Sequence, residues 1–201
     1  MMIGRLLLAL AALFAGSPTL AGERDGSAYD FIFTSIEGTP LPLSRFEGKI
    51  VLVINTASRC GFTRQYAGLQ AVWERYRDRG LIVLGVPSND FGGQELSTEA
   101  EIKDFCEVRF RVDFPLTAKA RVKGDEAHPF FVWAADTFGP LAKPRWNFHK
   151  YLIGPRGELA NWFATPDVTD LDQGGHLEVP LVLGFESGVW RGVMPICGLL
   201  R

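Results

Sequence analysis

The chain is poor in cysteine and in histidine, with three of each among 201 residues. Three cysteines are too few for a disulfide scaffold, and none has the paired C-x-x-C spacing of a structural zinc site. Cys60 is followed by Gly61, Phe62 and Thr63, which also excludes a dithiol C-x-x-C centre. No two histidines stand four residues apart, as metal-binding helices require. We therefore expect no metal ion and no bound cofactor, and each thiol either packs or reacts.

An excess of charge of one sign is lacking as well. Lys and Arg total 21 against 23 Asp and Glu, a formal net charge of −2, and no basic run is present. Such a balance excludes a surface that attracts polyanions, so nucleic acid is not an expected partner. Because 47% of the residues are hydrophobic, the chain can bury a proper core, and one domain is the natural count.

The N-terminal segment has the pattern of a secretory signal. The basic residue Arg5 precedes an apolar stretch at residues 6–15, and small residues close the segment at Ala21. Ten apolar residues are fewer than the roughly 20 that a spanning helix needs. We expect residues 1–21 to be a cleaved signal peptide and the chain to be exported across an inner membrane to the periplasm. An uncleaved N-terminal anchor remains the alternative, since Thr19 stands where alanine is commoner.

Strands and helices alternate in the predicted secondary structure. Residues 49–57 and 81–86 are apolar and β-branched, which is typical of strands covered on both faces. Residues 151–153 and 159–164 flank a Pro-Arg-Gly turn and predict a β-hairpin.

Three helices are predicted between these strands. Residues 63–79 carry apolar side chains at helical spacing, the Thr98-x-x-Glu101 capping box begins a second helix, and Pro129 begins a third. The order of elements predicts an α/β three-layer fold with a central mixed sheet flanked by helices.

Cys60 follows the end of the first buried strand and precedes the first helix, where open α/β sheets place reactive groups. Unsatisfied N–H groups of a helix start stabilise a thiolate and lower its pKa, and Arg59 and Arg64 act in the same direction. A packed, unreactive thiol is the alternative for an isolated cysteine. This position favours the reactive interpretation.

Several separated segments resemble the glutathione peroxidase family, a branch of the thioredoxin-like fold. They are NTASRCGFTRQYAGLQ (55–70), LGVPSNDFGGQE (84–95), FCEVRFRVDFP (105–115), GDEAHP (124–129) and WNFHKYLIGPRGE (146–158). The resemblance covers about residues 28–165. It implies a peroxidase whose reactive residue is Cys60, assisted by Gln94, Trp146 and Asn147. Amide and indole N–H groups are neutral donors that can stabilise developing charge, although ordinary loop capping and core packing are the alternatives.

The resemblance also implies how the oxidised sulfur is restored. Cys106 matches the resolving cysteine of thioredoxin-dependent members, which form an internal disulfide. From the residues alone, Cys106 lies on an apolar stripe with Ile102 and Phe105 and passes for a packed thiol. Bridging needs Cα atoms within roughly 7 Å, so a buried Cys106 requires its helix to unwind. A peroxide-sensing relay that passes oxidation to a partner protein is the alternative function.

The resemblance ends near Thr165, just after Phe163. Residues 166–201 form a tail rich in glycine and proline, where family members usually have a helix, so we place the peroxidase domain at 22–165. A change of reading frame is one hypothesis for the tail, and no role is assigned to Cys197. The insertion that builds the tetramer contact of larger relatives is also missing. We therefore expect a monomer, or at most a weak dimer, with an open site for hydroperoxides that contacts membranes only through lipid hydroperoxides. No motif matches the charged clamp that binds glutathione in the tetrameric relatives, so a thioredoxin-like protein is the expected reductant, with glutathione as the alternative.

Overall fold

The computed structural model of the chain describes residues 26–166. The expected signal segment at 1–21, nearly all of the predicted tail at 166–201 and Cys197 lie outside the described residues. The domain boundaries therefore stay predictions. No helix in the described part of the chain has the length and apolarity that crossing a membrane requires.

Six strands and three helices make up the described chain. The strands are β1 (Ile32–Thr34), β2 (Pro40–Pro42), β3 (Ile50–Thr56), β4 (Leu81–Pro87), β5 (Lys150–Ile153) and β6 (Leu159–Phe163). The helices are α1 (Gln65–Tyr76), α2 (Glu99–Phe110) and α3 (Pro129–Phe138). Short 3₁₀ turns occupy Ala28–Asp30, Leu43–Phe46, Arg77–Arg79 and Pro140–Ala142.

The central sheet has the strand order β4-β3-β5-β6 and is mixed, as predicted. β3 runs parallel to β4 in the register Ile50↔Leu81 through Thr56↔Pro87. β5 is antiparallel to both β3 and β6. Because β3 is central, its residues from Val51 to Thr56 are all buried, which explains why the sequence shows an apolar run instead of alternation.

Side chains alternate between two cores on opposite faces of this sheet. Val51 and Val53 of β3 pack with α3 and the N-terminal segment on one face. Leu52 and Ile54 pack with α1 and α2 on the other. The resulting helix, sheet and helix layers confirm the three-layer α/β prediction.

The N-terminal hairpin of β1 and β2 was not predicted. Its strands have three residues each, and β2 has a proline at both ends, so no periodic pattern develops. The first helix is also shorter than the predicted span of 63–79, because α1 ends at Tyr76 and a 3₁₀ turn follows to Gly80, whose φ is +90°.

The predicted capping box begins α2. Thr98 Oγ1 accepts the N–H of Glu101 at 3.2 Å, and the Glu101 carboxylate accepts the N–H of Thr98 at 3.0 Å. α3 begins at Pro129 after His128, whose ring accepts the Phe130 N–H at 3.3 Å and stacks on Phe33. His128 thus caps the N-terminus of α3.

Replacing Thr98 with Ala should lower the free energy of unfolding by about 1 kcal/mol, because α2 loses its N-terminal cap. Thr98→Ser keeps the hydroxyl and should stay close to the wild type. Urea denaturation of the three proteins measures both changes, and equal stability of the Ala and Ser variants would contradict the capping role.

Candidate active site

Cys60 lies in a tight series of turns between β3 and α1. Its side chain is buried, with 8% of the residue exposed. The helix itself begins only at Gln65, so Cys60 precedes the first turn of α1 and is not part of it. The donor that contacts the sulfur is the Phe62 N–H, at 3.4 Å from Cys60 Sγ. The local turn, and not the start of the helix, therefore supplies the nearest backbone donor.

Thr63 fixes the shape of this turn, and sequence reasoning did not single it out. Its Oγ1 accepts the Cys60 N–H at 2.9 Å. The same hydroxyl lies 2.8 Å from the carbonyl oxygen of Cys60 and 2.9 Å from that of Ala57, either of which can accept its proton. A single buried hydroxyl thus contacts both ends of the turn that carries Cys60.

The predicted partners Gln94 and Asn147 are hydrogen bonded to each other beside this turn. Asn147 is fully buried, and its Nδ2 donates to Gln94 Oε1 at 3.0 Å. The backbone of Gln94 accepts the Arg59 N–H at 2.9 Å, which joins the loop of Gln94 to the loop of Cys60. Because Oε1 of Gln94 accepts from Asn147, its Nε2 group is available to donate a hydrogen bond to a reacting sulfur or oxygen.

The backbone of Trp146 is hydrogen bonded to Asn55, which lies near the end of β3. Asn55 Nδ2 donates to the Trp146 carbonyl at 3.1 Å, and Asn55 Oδ1 accepts the His149 N–H at 3.0 Å. The indole of Trp146 packs against Phe91 at a ring distance of 5.8 Å and is 40% exposed. Asn55 was part of the quoted motif but was not assigned a role; its buried polar side chain inside an apolar strand is the signal that could have identified it.

Glu95 is a third residue that the sequence analysis did not assign. Its Oε1 accepts the N–H of Ser58 at 3.0 Å and that of Leu96 at 2.8 Å, while its own N–H donates to Asn89 Oδ1 at 3.0 Å. Its Oε2 is buried and has no hydrogen-bond partner within residues 26–166. Burial raises the pKa of the Glu95 carboxyl, and the two hydrogen bonds only partly oppose this rise. Glu95 is thus a buried acid directly beneath the Cys60 loop.

The last described residues also contact the site. Thr165 Oγ1 donates to the Asn147 carbonyl at 2.7 Å, and Gln65 Nε2 donates to the Thr165 carbonyl at 2.8 Å. The segment that follows β6 is therefore hydrogen bonded to both Asn147 and the first residue of α1.

Cys106 lies on the inner face of α2 and is completely buried. Both Cys60 and Cys106 are free thiols and belong to the same apolar core between the sheet, α1 and α2. Burial raises the pKa of Cys106 to about 12, and the neighbouring Tyr66 hydroxyl acts in the opposite sense without offsetting it. In the reduced protein Cys106 is thus a packed, protonated thiol.

Within residues 26–166, no group of three or more His, Cys, Asp or Glu side chains is arranged to hold a metal ion. The chemistry available at the site is that of a buried thiol that accepts the Phe62 N–H, on a loop that is hydrogen bonded to the backbone of Gln94.

Comparison with known proteins gives a consistent set of matches. The family model described as glutathione peroxidase matches residues 28–135. A hydroperoxy fatty acid reductase of Synechocystis sp. is 42% identical over 159 residues, which cover 74% of this chain and 94% of the relative. A glutathione peroxidase-like peroxiredoxin of Schizosaccharomyces pombe is 42% identical over 139 residues, covering 68% and 88%.

Solved structures agree with these matches. The crystal structure of T. cruzi GPX1 is similar with a TM-score of 0.58 and 32% identity, covering 70% of this chain and 87% of that one. A thioredoxin family thiol:disulfide interchange protein from Chlorobium tepidum, with a TM-score of 0.50 and 15% identity, covers 68% and 86% and shows the fold alone. The fold is thioredoxin-like.

The buried position of Glu95 predicts a specific pH dependence of stability. Because its pKa is raised on folding, the folded protein loses stability as the pH rises from the ordinary titration range of glutamate through the raised pKa. Glu95→Gln keeps an oxygen acceptor for Ser58 and Leu96 but cannot ionise. The free energy of unfolding of this variant relative to wild type should therefore increase across that pH range.

Urea denaturation between about pH 4 and pH 8 measures this difference. Glu95→Ala, which removes the acceptor entirely, should be less stable than Glu95→Gln at every pH. A constant difference between Glu95→Gln and wild type across the range would contradict the buried-acid assignment.

Proposed function

The chain belongs to the glutathione peroxidase family, and from this premise we propose that it reduces hydrogen peroxide and organic hydroperoxides, including those of lipids, through Cys60. The name of the Synechocystis relative, a hydroperoxy fatty acid reductase, supports organic hydroperoxides as substrates. A thiol reductant completes the cycle as a co-substrate.

The observation that carries this proposal is the connection between the Cys60 loop and the Gln94–Asn147 pair. The Arg59 N–H donates to the Gln94 carbonyl, and Asn147 Nδ2 donates to the Gln94 amide oxygen, so the loop that carries these neutral donors is hydrogen bonded to the loop that carries Cys60. Such donors can stabilise negative charge on sulfur before the reaction and on the departing oxygen during it. The burial of Asn147 keeps this arrangement ordered without a substrate.

In the first step, the Cys60 thiolate attacks the terminal oxygen of a hydroperoxide. An S–O bond forms, the O–O bond breaks, and the sulfur is oxidised to sulfenic acid. The departing oxygen takes up a proton and leaves as water or as an alcohol. Gln94 Nε2 and the Trp146 indole N–H are the donors assigned to the charge that develops in this step.

In the second step, Cys106 condenses with the sulfenic acid of Cys60 and releases water, leaving an internal disulfide. The location of both sulfurs in one apolar core supports this pairing. The burial and raised pKa of Cys106 mean that α2 has to open first. The residue that follows the end of this helix at Phe110 is Arg111, whose φ of 55° lies in the left-handed region, which costs a residue other than glycine about 1 kcal/mol. Opening from that end releases the strain and frees Cys106.

The disulfide is then reduced by a dithiol protein of the thioredoxin type. Thiol-disulfide exchange returns both cysteines to the thiol form and oxidises the partner. Export through the N-terminal segment, which we retain as a proposal, requires this reductant to be present outside the cytoplasm. We also propose that the protein acts as a monomer.

Cys60→Ser should abolish peroxide reduction, because no other described thiol is flanked by these donors. Gln94→Ala should slow the first oxidation by about 10², since one donor to the transition state is removed. Stopped-flow measurement of peroxide consumption under single-turnover conditions tests both. Peroxide reduction by Cys60→Ser at the wild-type rate would refute the assignment of the reactive sulfur.

Cys106→Ser should retain one stoichiometric oxidation by hydroperoxide but should no longer cycle with a thioredoxin-like reductant. In the wild type, disulfide formation should be slower than the first oxidation, because α2 must open. Mass mapping after one equivalent of peroxide identifies the disulfide, and a coupled thioredoxin assay measures cycling. Undiminished cycling of Cys106→Ser would show that the reductant acts directly on the sulfenic acid.

A further inference from the structure

The hydroxyl of Thr63 lies just before α1, but it does not cap that helix. A threonine at the start of a helix commonly accepts the N–H of the second or third helical residue. Here the N-cap position is Arg64, which has no side-chain cap bond, and α1 begins at Gln65. Thr63 Oγ1 instead accepts the Cys60 N–H, three residues back along the chain, at 2.9 Å. The hydroxyl therefore serves the turn of Cys60 and not the helix.

Two sets of hydrogen bonds close the turn that contains Cys60. The Thr63 N–H donates to the Cys60 carbonyl at 3.1 Å, which closes a four-residue β-turn with Gly61 and Phe62 in its middle. The Thr63 hydroxyl adds the bond from the Cys60 N–H and can donate to the carbonyl oxygen of Cys60 or of Ala57. Because Ala57 directly follows β3, the hydroxyl also connects the turn to the end of the central strand.

The closed turn sets the direction of the N–H group that contacts the sulfur. The Phe62 nitrogen lies 3.4 Å from Cys60 Sγ, and Phe62 is one of the two middle residues of the turn. The orientation of the middle peptide of a β-turn follows from how the turn is closed. Thr63 is buried, so water has little access to the bonds of its hydroxyl. Loss of the hydroxyl would leave the Cys60 N–H without its acceptor and would let the Phe62 N–H turn away from the sulfur.

We infer that Thr63 is a positioning residue for the first oxidation, since its hydroxyl holds the turn that directs the Phe62 N–H at the sulfur of Cys60. It acts through the backbone of Cys60 and Phe62. The inference rests on the proposed function and adds a residue to it, because the directed N–H stabilises charge on the sulfur that attacks the peroxide. A methyl group of similar size cannot replace the hydroxyl, since it neither accepts nor donates a hydrogen bond.

The test compares Thr63→Val, which keeps the shape of the side chain and removes the hydroxyl, with Thr63→Ser, which keeps the hydroxyl. Thr63→Val should slow the oxidation of Cys60 by hydrogen peroxide about tenfold, because the donor at the sulfur is displaced. Thr63→Ser should stay within about twofold of the wild type, because the hydrogen bonds are retained. Stopped-flow measurement of the full chain under single-turnover conditions gives these rate constants.

Thr117→Val is a matched control. Thr117 is buried as well, its Oγ1 donates to the Ala118 carbonyl at 2.8 Å, and it forms a β-bridge with Ser35. This variant also loses a buried hydroxyl and should be oxidised at the wild-type rate. Equal slowing of Thr117→Val and Thr63→Val would mean that the loss of any buried hydroxyl has this effect, and it would overturn the inference.

Amide hydrogen exchange of the reduced protein provides a second measurement that does not depend on turnover. The Cys60 and Phe62 N–H groups should exchange about tenfold faster in Thr63→Val than in the wild type, because the turn opens more often. Thr63→Ser should exchange them as the wild type does. Circular dichroism should show the same helical content in all three proteins, because α1 loses no cap. Thr63→Ala takes the place of Thr63→Val if the latter does not fold.

Wild-type oxidation of Thr63→Val, equal slowing of Thr63→Ser, or unchanged exchange of the Cys60 N–H overturns the inference. A loss of helix in Thr63→Val would assign the side chain to the stability of α1 and would overturn it as well. Failure of the wild type to reduce hydrogen peroxide would instead overturn the proposed function, and the exchange rates would still show whether the hydroxyl holds the turn.

Discussion

Two hydrogen bonds between neighbouring loops determine the geometry of the reactive site. The Ser58 N–H bonds to the Glu95 carboxyl, and the Arg59 N–H bonds to the Gln94 carbonyl. They join the segment that carries Cys60 to the segment that carries Gln94. Without these hydrogen bonds, the two loops could move relative to each other. A displacement of even 1 Å between a reacting atom and its donor reduces catalysis severely.

The central strand β3 gives these loops a rigid base. It is hydrogen bonded to β4 on one edge and to β5 on the other, and it is covered on both faces. The turn that contains Cys60 follows its last residue. Near the end of that strand, the side-chain amide of Asn55 donates to the Trp146 carbonyl and accepts the His149 N–H. One strand therefore positions Cys60 and also orients the backbone on both sides of Asn147. This role accounts for the polar residue Asn55 within an otherwise apolar strand.

Much of the fold could be predicted because its central strands and its helices carry strong local signals. β3 and β4 are continuous apolar runs, and α2 begins with a capping box, so each was placed within one residue or two. The hairpin of β1 and β2 has no such signal, because its strands are too short to show alternation. The sequence also could not show that Cys60 lies in a turn before α1, since that depends on how Thr63 closes the turn.

The site was predictable only in part, for a related reason. Cys60 was predicted from its position after a buried strand and from the resemblance, and Gln94, Trp146 and Asn147 from the resemblance alone. The contacts of Glu95 and Thr63 are ones that a linear pattern does not reveal. Ser58, whose N–H donates to the Glu95 carboxyl, lies 37 positions away in the sequence. From the sequence alone, an acidic residue in a loop is expected to be exposed to solvent. The burial of Glu95 and the raised pKa of its carboxyl could therefore be found only from the structure.

The enclosure of Cys106 has a consequence for how the protein withstands a large excess of oxidant. If α2 has to open before the disulfide forms, the lifetime of the sulfenic acid on Cys60 is set by the opening rate of that helix. A second peroxide molecule that arrives during this interval converts the sulfur to sulfinic acid, which ordinary thiols do not reduce. In the proposed cycle, the packing of one helix sets the peroxide concentration above which the protein inactivates itself.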